Sequence, residues 1–204
     1  MKISASELVK RSASQLLFKE VKRIQWQASP RQFKGNDYAE EIVAKEEASA
    51  EKRGVISLGD DLLFFCIDMV KDNKFIEIKM VDDPDNTEDW YLYSSIMQST
   101  FYATLLTKVK TLDTPKFRKK EGFKQEVIQI PDKFEFELWF GERKFSIQPN
   151  EQVLQHYLDK AKLIKNSLNP INFDDCRIFD AKYKHKEFSI FKPIYKEIKS
   201  SQFV

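Results

Sequence analysis

The sequence predicts an α/β fold, a mixed central β-sheet flanked by helices, and three observations carry that reading. Two apolar runs, residues 62–70 and 75–81, flank Lys71-Asp72-Asn73-Lys74, whose Asp-Asn centre suits a tight turn with positive φ, so the pair reads as a β-hairpin. Apolar residues recur at helical spacing on both sides of it, over residues 5–24, 35–52 and 90–111. The chain has 204 residues, 42% of them hydrophobic and 32% charged, with five glycines, a globular profile with room for one domain spanning residues 1–204.

In chain order, Ser4 with Glu7 three residues on reads as a capping box opening a helix over residues 5–24, with Leu8, Val9, Ala13, Leu16, Leu17, Val21 and Ile24 on its packed side. A second helix is predicted over residues 35–52, where Tyr38, Ala39, Ile42 and Val43 mark one side and Glu40, Glu41 and Glu47 point away. Residues 54–58 read as a short strand before the hairpin, and residues 90–111 as a long helix. Residues 125–130 alternate as a strand. Residues 134–140 and 144–148 flank Gly141-Glu142-Arg143 as a second hairpin, and Asn150 caps a helix running to about residue 168. No internal repeat or low-complexity linker divides the chain.

The first hairpin carries the chemistry. If Lys71 pairs with Lys74, Asp68 falls opposite Glu77 and Cys66 opposite Lys79, with opposed Cβ atoms roughly 5 Å apart. Phe65, Ile67 and Met69 then share the other face with Ile76, Ile78 and Met80, an unbroken apolar surface assigned to the core. The face bearing Asp68, Glu77 and Lys79 is otherwise apolar, through Phe64, Val70, Phe75 and Val81. Two carboxylates opposed on such a face repel and resist ionisation unless a cation sits between them. Oxygen donors with room for water and a phosphate suit Mg²⁺ or Mn²⁺, and an adjacent lysine can hold the attacking water.

Asp68, eight intervening residues and then Glu77-Ile78-Lys79 resemble the D…(D/E)xK signature of the PD-(D/E)xK nucleases. The preceding Phe65-Cys66-Ile67-Asp68 is similar to the G-x-I-D strand of the RecB-type branch. Gln98-Ser99-Thr100-Phe101-Tyr102 matches the QxxxY motif that follows that branch's catalytic hairpin, and residues four apart stack on one helical face. The resemblance implies a restriction-endonuclease-like αβββαβ core over about residues 35–131, followed by a hairpin, helix and basic tail over residues 132–204. It implies a Mg²⁺- or Mn²⁺-dependent DNA nuclease of repair, recombination or mobile-element processing. Asp68, Glu77 and Lys79 would be catalytic. Asp68, Glu77 and the Ile78 carbonyl would hold metal, with Glu40 as the helix ligand and Glu41 as the alternative, and Gln98 and Tyr102 would position substrate. The branch's helix histidine is missing; Ala39 stands nearest to it. The four cysteines that bind an iron–sulfur cluster in some relatives are also missing, since the chain has only Cys66 and Cys176. A non-catalytic nucleic-acid-binding or structural subunit on the same fold is the rival reading.

Composition excludes other classes. Two cysteines and two histidines leave no disulfide framework or zinc motif. No apolar run approaches the ~20 residues of a membrane span, and the N-terminus lacks the apolar core of a signal peptide, so a cytoplasmic location is expected. A net charge of +2 is small, so contact with DNA must come from local clusters. Lys116, Arg118, Lys119 and Lys120 form one such cluster, interleaved with Phe117 and Phe123, suited to phosphates and a stacked base.

Overall fold

A computed structural model describes residues 2–24, 30–58, 60–82, 89–114, 126–200 and 202–203. The DNA-binding cluster expected at Lys116, Arg118, Lys119 and Lys120 lies outside the described residues. Lys71 pairs with Lys74, Val70 with Phe75 and Met69 with Ile76, the register that the turn dictates, and Asp72 takes the positive φ of 54°. These pairs join β3 (Asp61–Lys71) to β4 (Lys74–Lys79).

Around this hairpin stands a mixed sheet. Antiparallel to β3 on its other side runs β2 (Ser49–Leu58), longer than the strand expected over residues 54–58. The helix expected over residues 35–52 is α3 (Pro30–Lys45). It stops because Glu47 turns to a φ of 51° while the Ala48 amide donates back to the Val43 carbonyl, so the residues after the apolar stripe fades are free to join β2. After α4 (Asp89–Leu106), the pair β5 (Thr111–Asp113) and β6 (Val127–Gln129) lies at the sheet margin, with β5 on β2. The strand parallel to β4 is instead β7 (Glu135–Phe140), in register from Lys74–Glu135 to Lys79–Phe140. The residue 125–130 strand therefore does not sit beside β4, and a core boundary at residue 131 would cut off a central strand. The hairpin partner β8 (Arg143–Ile147) and the short β9 (Gln202–Phe203) complete the order β6-β5-β2-β3-β4-β7-β8-β9.

The predicted helix over residues 5–24 is two helices, α1 (Ala5–Lys10) and α2 (Ala13–Lys22), preceded by the short strand β1 (Lys2–Ser4). Ser4 makes no side-chain cap bond, and Glu7 instead meets Lys19 at 2.7 Å. The capping box is Ser12 with Gln15, reinforced by Asp180, whose carboxylate accepts from the Ala13 and Ser14 amides at 2.7 and 3.0 Å. Asp180 lies on α6 (Phe173–Ser200), so the break is set by a contact 167 residues away in sequence.

The helix α4 is buried almost all round between the sheet, α1, α6 and α5 (Glu151–Asn166). Its small polar residues tolerate this because they bond within the helix: Ser95 donates to the Tyr91 carbonyl, Thr100 to Ile96 and Thr104 to Thr100, at 2.7–2.8 Å. At the start of α5, Asn150 caps as expected, accepting from the Gln152 and Val153 amides.

The apolar residues of the hairpin do not form one surface. Leu63, Phe65, Ile67, Val70 and Phe75 join the large core with the helices, whereas Met69, Ile76 and Ile78 join a small core under α3 with Val43, and Met80 is half-buried. The reason is in the neighbours of β3. At its C-terminal end it pairs with β4, but at Leu62–Phe64 it pairs with β1 in parallel, so its two halves meet different layers.

Candidate active site

The space between those two pairings is where the acidic residues lie. Beyond Met69–Ile76 the regular ladder between β3 and β4 stops, so Asp68 and Glu77 do not form a ladder pair as the turn register alone predicts. Instead the Ile78 amide donates to Asp68 Oδ2 at 2.8 Å, a side chain standing in for the missing backbone partner. Both carboxylates still face one site with Lys79. The Lys79 ammonium donates to Glu77 Oε1, and Gln98 Nε2 donates to the same oxygen at 2.8 Å and to the Tyr102 hydroxyl at 3.1 Å. One turn of α4 thus presents Gln98 and Tyr102 together, as their four-residue spacing predicts.

Glu77 is 3% exposed at its side chain and Lys79 is 12% exposed, so this is a desolvated ion pair. Burial pushes the Glu77 carboxyl up to about 7, and the neighbouring Asp68 charge adds to the rise against the opposing pull of Lys79. Asp68 is raised as well, by burial, with Lys79 and the Ile78 amide pulling the other way. For Lys79, burial acts to lower the pKa, but the Glu77 and Asp68 carboxylates outweigh it and the ammonium is held charged. Tyr102 is raised by burial and by Glu77, so its hydroxyl stays protonated.

Spacing alone did not reveal Lys10. The last residue of α1, it brings a second ammonium to the cluster, where burial and Lys79 lower its pKa while Glu77 and Asp68 raise it. Its position follows from β1 pairing beside β3, a long-range event with no local motif. Glu40 is elsewhere. It is exposed on α3 and borders a cleft of about 500 Å³ together with Val43, Glu47, Ala50, Glu51 and Lys52. The charges acting on Asp68 are those of Lys79 and Lys10, and those acting on Glu77 are Asp68, Lys79 and Lys10.

The donor set fits a hard divalent cation in part. Glu77 Oε2 is buried without a hydrogen-bond donor among the described residues, Asp68 is anchored through Oδ2, and the Ile78 carbonyl belongs to the same segment. Two carboxylates and a carbonyl suit Mg²⁺ or Mn²⁺, which keep several waters. Among the described residues no group of three His, Cys, Asp or Glu side chains converges in metal-holding geometry, so a third acidic ligand is not supplied. No helix among them is long and apolar enough to cross a membrane.

No protein-family model matches the chain, and no curated protein matches it. A solved structure, the crystal structure of SSO0001, is similar to it with 15% identity and a TM-score of 0.48, over 79% of this chain and 76% of that one.

Proposed function

We propose that the protein is a metal-dependent nuclease that hydrolyses phosphodiester bonds of DNA, with Asp68, Glu77 and Lys79 as its catalytic centre. One observation carries this reading: β3 and β4 part at Asp68, and a buried Glu77–Lys79 pair, Gln98 and Tyr102 close around the gap. A fold does not accumulate two mutually repelling carboxylates in a desolvated site for stability, since buried ion pairs rarely repay their desolvation. Support also comes from α3, β2, β3, β4 and α4 in that order, followed, after the marginal pair β5 and β6, by β7 parallel to β4, an αβββαβ arrangement once the marginal pair is set aside.

In this reading Asp68, Glu77 and the Ile78 carbonyl hold Mg²⁺ or Mn²⁺. The ion supplies Lewis-acid polarisation of the scissile phosphate. The Ile78 amide fixes Asp68, and Gln98, steadied by Tyr102, holds Glu77 Oε1 so that Oε2 remains available. Lys79 orients the attacking water and, with Lys10, offsets negative charge that develops at the phosphate. Labelled linear and circular DNA, incubated with Mg²⁺, Mn²⁺ or chelator, tests the reading. Cleavage that depends on the divalent ion is the expected result. Failure to cut single-stranded, duplex, nicked and flapped DNA in either metal removes it.

One observation favours the second reading, a binding module without catalysis: Lys79 already compensates Glu77. That reading predicts DNA affinity with no cleavage in any divalent ion.

A further inference from the structure

Two aromatic groups can be reached from the acidic site, one along β3 from Asp68 and the other from Lys79 through Phe140 and Tyr91, and neither has a role in the chemistry above. On one side, the Arg53 guanidinium lies 4.0 Å from the centroid of the Phe64 ring. Arg53 on β2 pairs with Cys66, and Phe64, Cys66 and Asp68 alternate along β3, so these side chains project to the same face of the sheet as Asp68. Phe64 is four residues from Asp68, about 13 Å along the strand. Phe64 and Arg53 are both half-buried, and the neighbouring Val55 is exposed, so this strip of sheet is open to solvent. On the other side, Trp90 at the start of α4 is 64% exposed. Its ring meets Tyr91 edge-on at 5.9 Å, Tyr91 packs on Phe140 at 5.3 Å, and Phe140 pairs with Lys79 across the β4–β7 ladder.

The Trp90 indole, mostly in water and joined through Tyr91 and Phe140 to the strand position of Lys79, offers a π-face that a ligand can cover. A guanidinium held flat on a ring has lost its rotamer freedom in advance and presents a plane to a π-face and an edge to a phosphate. Unpaired bases stack on both kinds of surface, whereas the paired bases of a duplex have no free face to offer. The cations at each step favour a phosphate backbone over an apolar peptide.

We infer that Arg53, seated over the Phe64 ring, and Trp90 are base-stacking platforms that grip a single strand of DNA on either side of Asp68 and Glu77. This rests on the proposed nuclease reading for the identity of the site, and it assigns the substrate as an unpaired strand. The strand's backbone crosses the site between the platforms, passing Lys10 and Lys79.

The test measures binding of a single-stranded oligonucleotide and of a blunt duplex of the same sequence to the full chain, in Ca²⁺ to prevent turnover. Stacking contributes about 5- to 150-fold per base. Trp90→Ala is expected to lose single-strand affinity in that range, with Trp90→Phe recovering most of it, while duplex affinity changes less than about twofold. Arg53→Lys is expected to bind as weakly as Arg53→Ala, because it keeps the charge and loses the plane. Wild-type tryptophan emission should be quenched by the oligonucleotide and that quenching lost in Trp90→Phe. Phe18→Ala, an exposed aromatic on α2, serves as the control that leaves affinity unchanged. The inference is overturned if the wild type does not bind the single strand, if Trp90→Ala and Arg53→Ala bind it as tightly as wild type, or if duplex binding falls equally. Cleavage assays on the same proteins separate the two claims. Wild type that cuts while the variants bind normally defeats the platforms alone, and variants that lose affinity in a protein that never cuts defeat the nuclease alone.

Discussion

Two lysines of this sheet are buried beside glutamates, and they are buried for different reasons. Lys52 on β2 is 5% exposed at its side chain and bonds Glu126 at 2.7 Å and Thr114 at 3.3 Å, but Glu126 is 51% exposed. Water solvates half of that pair. Lys79 on β4 meets a Glu77 that is itself buried, with Asp68 and Lys10 close enough to act on both. The first arrangement is a lysine tethered to the surface through its partner. In the second, Glu77, Asp68 and Lys79 share a desolvated site with an exposed Lys10 at its edge, and Glu77 is kept protonatable near neutrality. The difference separates a structural contact from a candidate reaction centre better than burial of a lysine does.

The largest effect should fall on turnover. Lys79→Ala should lower metal-dependent cleavage by on the order of 10²-fold or more while DNA affinity in Ca²⁺ stays near wild type, because its proposed work belongs to the transition state. Lys52→Met should leave cleavage per folded molecule unchanged. Single-turnover rates of the two variants side by side make the contrast, and equal losses would erase the distinction drawn between the lysines.

Metal binding should sharpen it next. A ligand that binds only the folded state raises stability by mass action. Millimolar Mn²⁺ should raise the Tm of the wild type and of Lys52→Met by several degrees, and Asp68→Asn by much less. Thermal scans that show the same shift in all three would remove Asp68 from the metal set.

The pH dependence has a defined sign. Glu77 is raised in the folded state from the ordinary 4.5 to about 7, so the folded protein holds a proton that the unfolded chain has released across that window. Stability without metal should therefore fall as pH rises from about 4.5 to about 7, by on the order of 2 kcal/mol, or roughly 4–8 °C in Tm for a chain of this size. Asp68, also raised, acts in the same direction. Chelated samples of Glu77→Gln should show a flatter profile. A wild-type profile that climbs through this window would contradict the site's electrostatics.

The smallest effects are structural. Lys52→Met leaves a half-solvated glutamate behind and should cost about 1 kcal/mol in urea unfolding. Gly54→Ala, two residues away on the same strand, should cost about 1–3 kcal/mol, because an added Cβ would stand 2.1 Å from the Phe65 ring, which packs on Tyr102. If its loss in cleavage exceeds its loss in folded protein, the disturbance reaches Gln98 through Tyr102.

Local chemistry explains what could be read without coordinates. The register at Lys71–Lys74 follows from a turn of two residues, Gln98 and Tyr102 align because a helix repeats every 3.6 residues, and Asn150 caps with its own side chain. The helix histidine's absence left Glu40 and Glu41 as candidates, and the α3 pattern gave no means of telling which surface of the sheet α3 would cover. It covers Met69, Ile76 and Ile78, and Glu40 borders a cleft shared with Glu51 and Lys52.

By itself the sequence determined the hairpin, its register near the turn, the long buried helix with its Gln98–Tyr102 pair, and the acids and lysine that face one another. These depend on interactions within a few residues, where backbone geometry leaves few alternatives. The tertiary structure decided the rest: that β3 and β4 part at Asp68, that β7 lies against β4, that Asp180 breaks the first helix at Ser12, and that Lys10 joins the site. Apart from the parting itself, each of these is a contact across tens to more than a hundred residues. Such contacts are selected by how whole layers pack, and no short window of residues contains the information that fixes them.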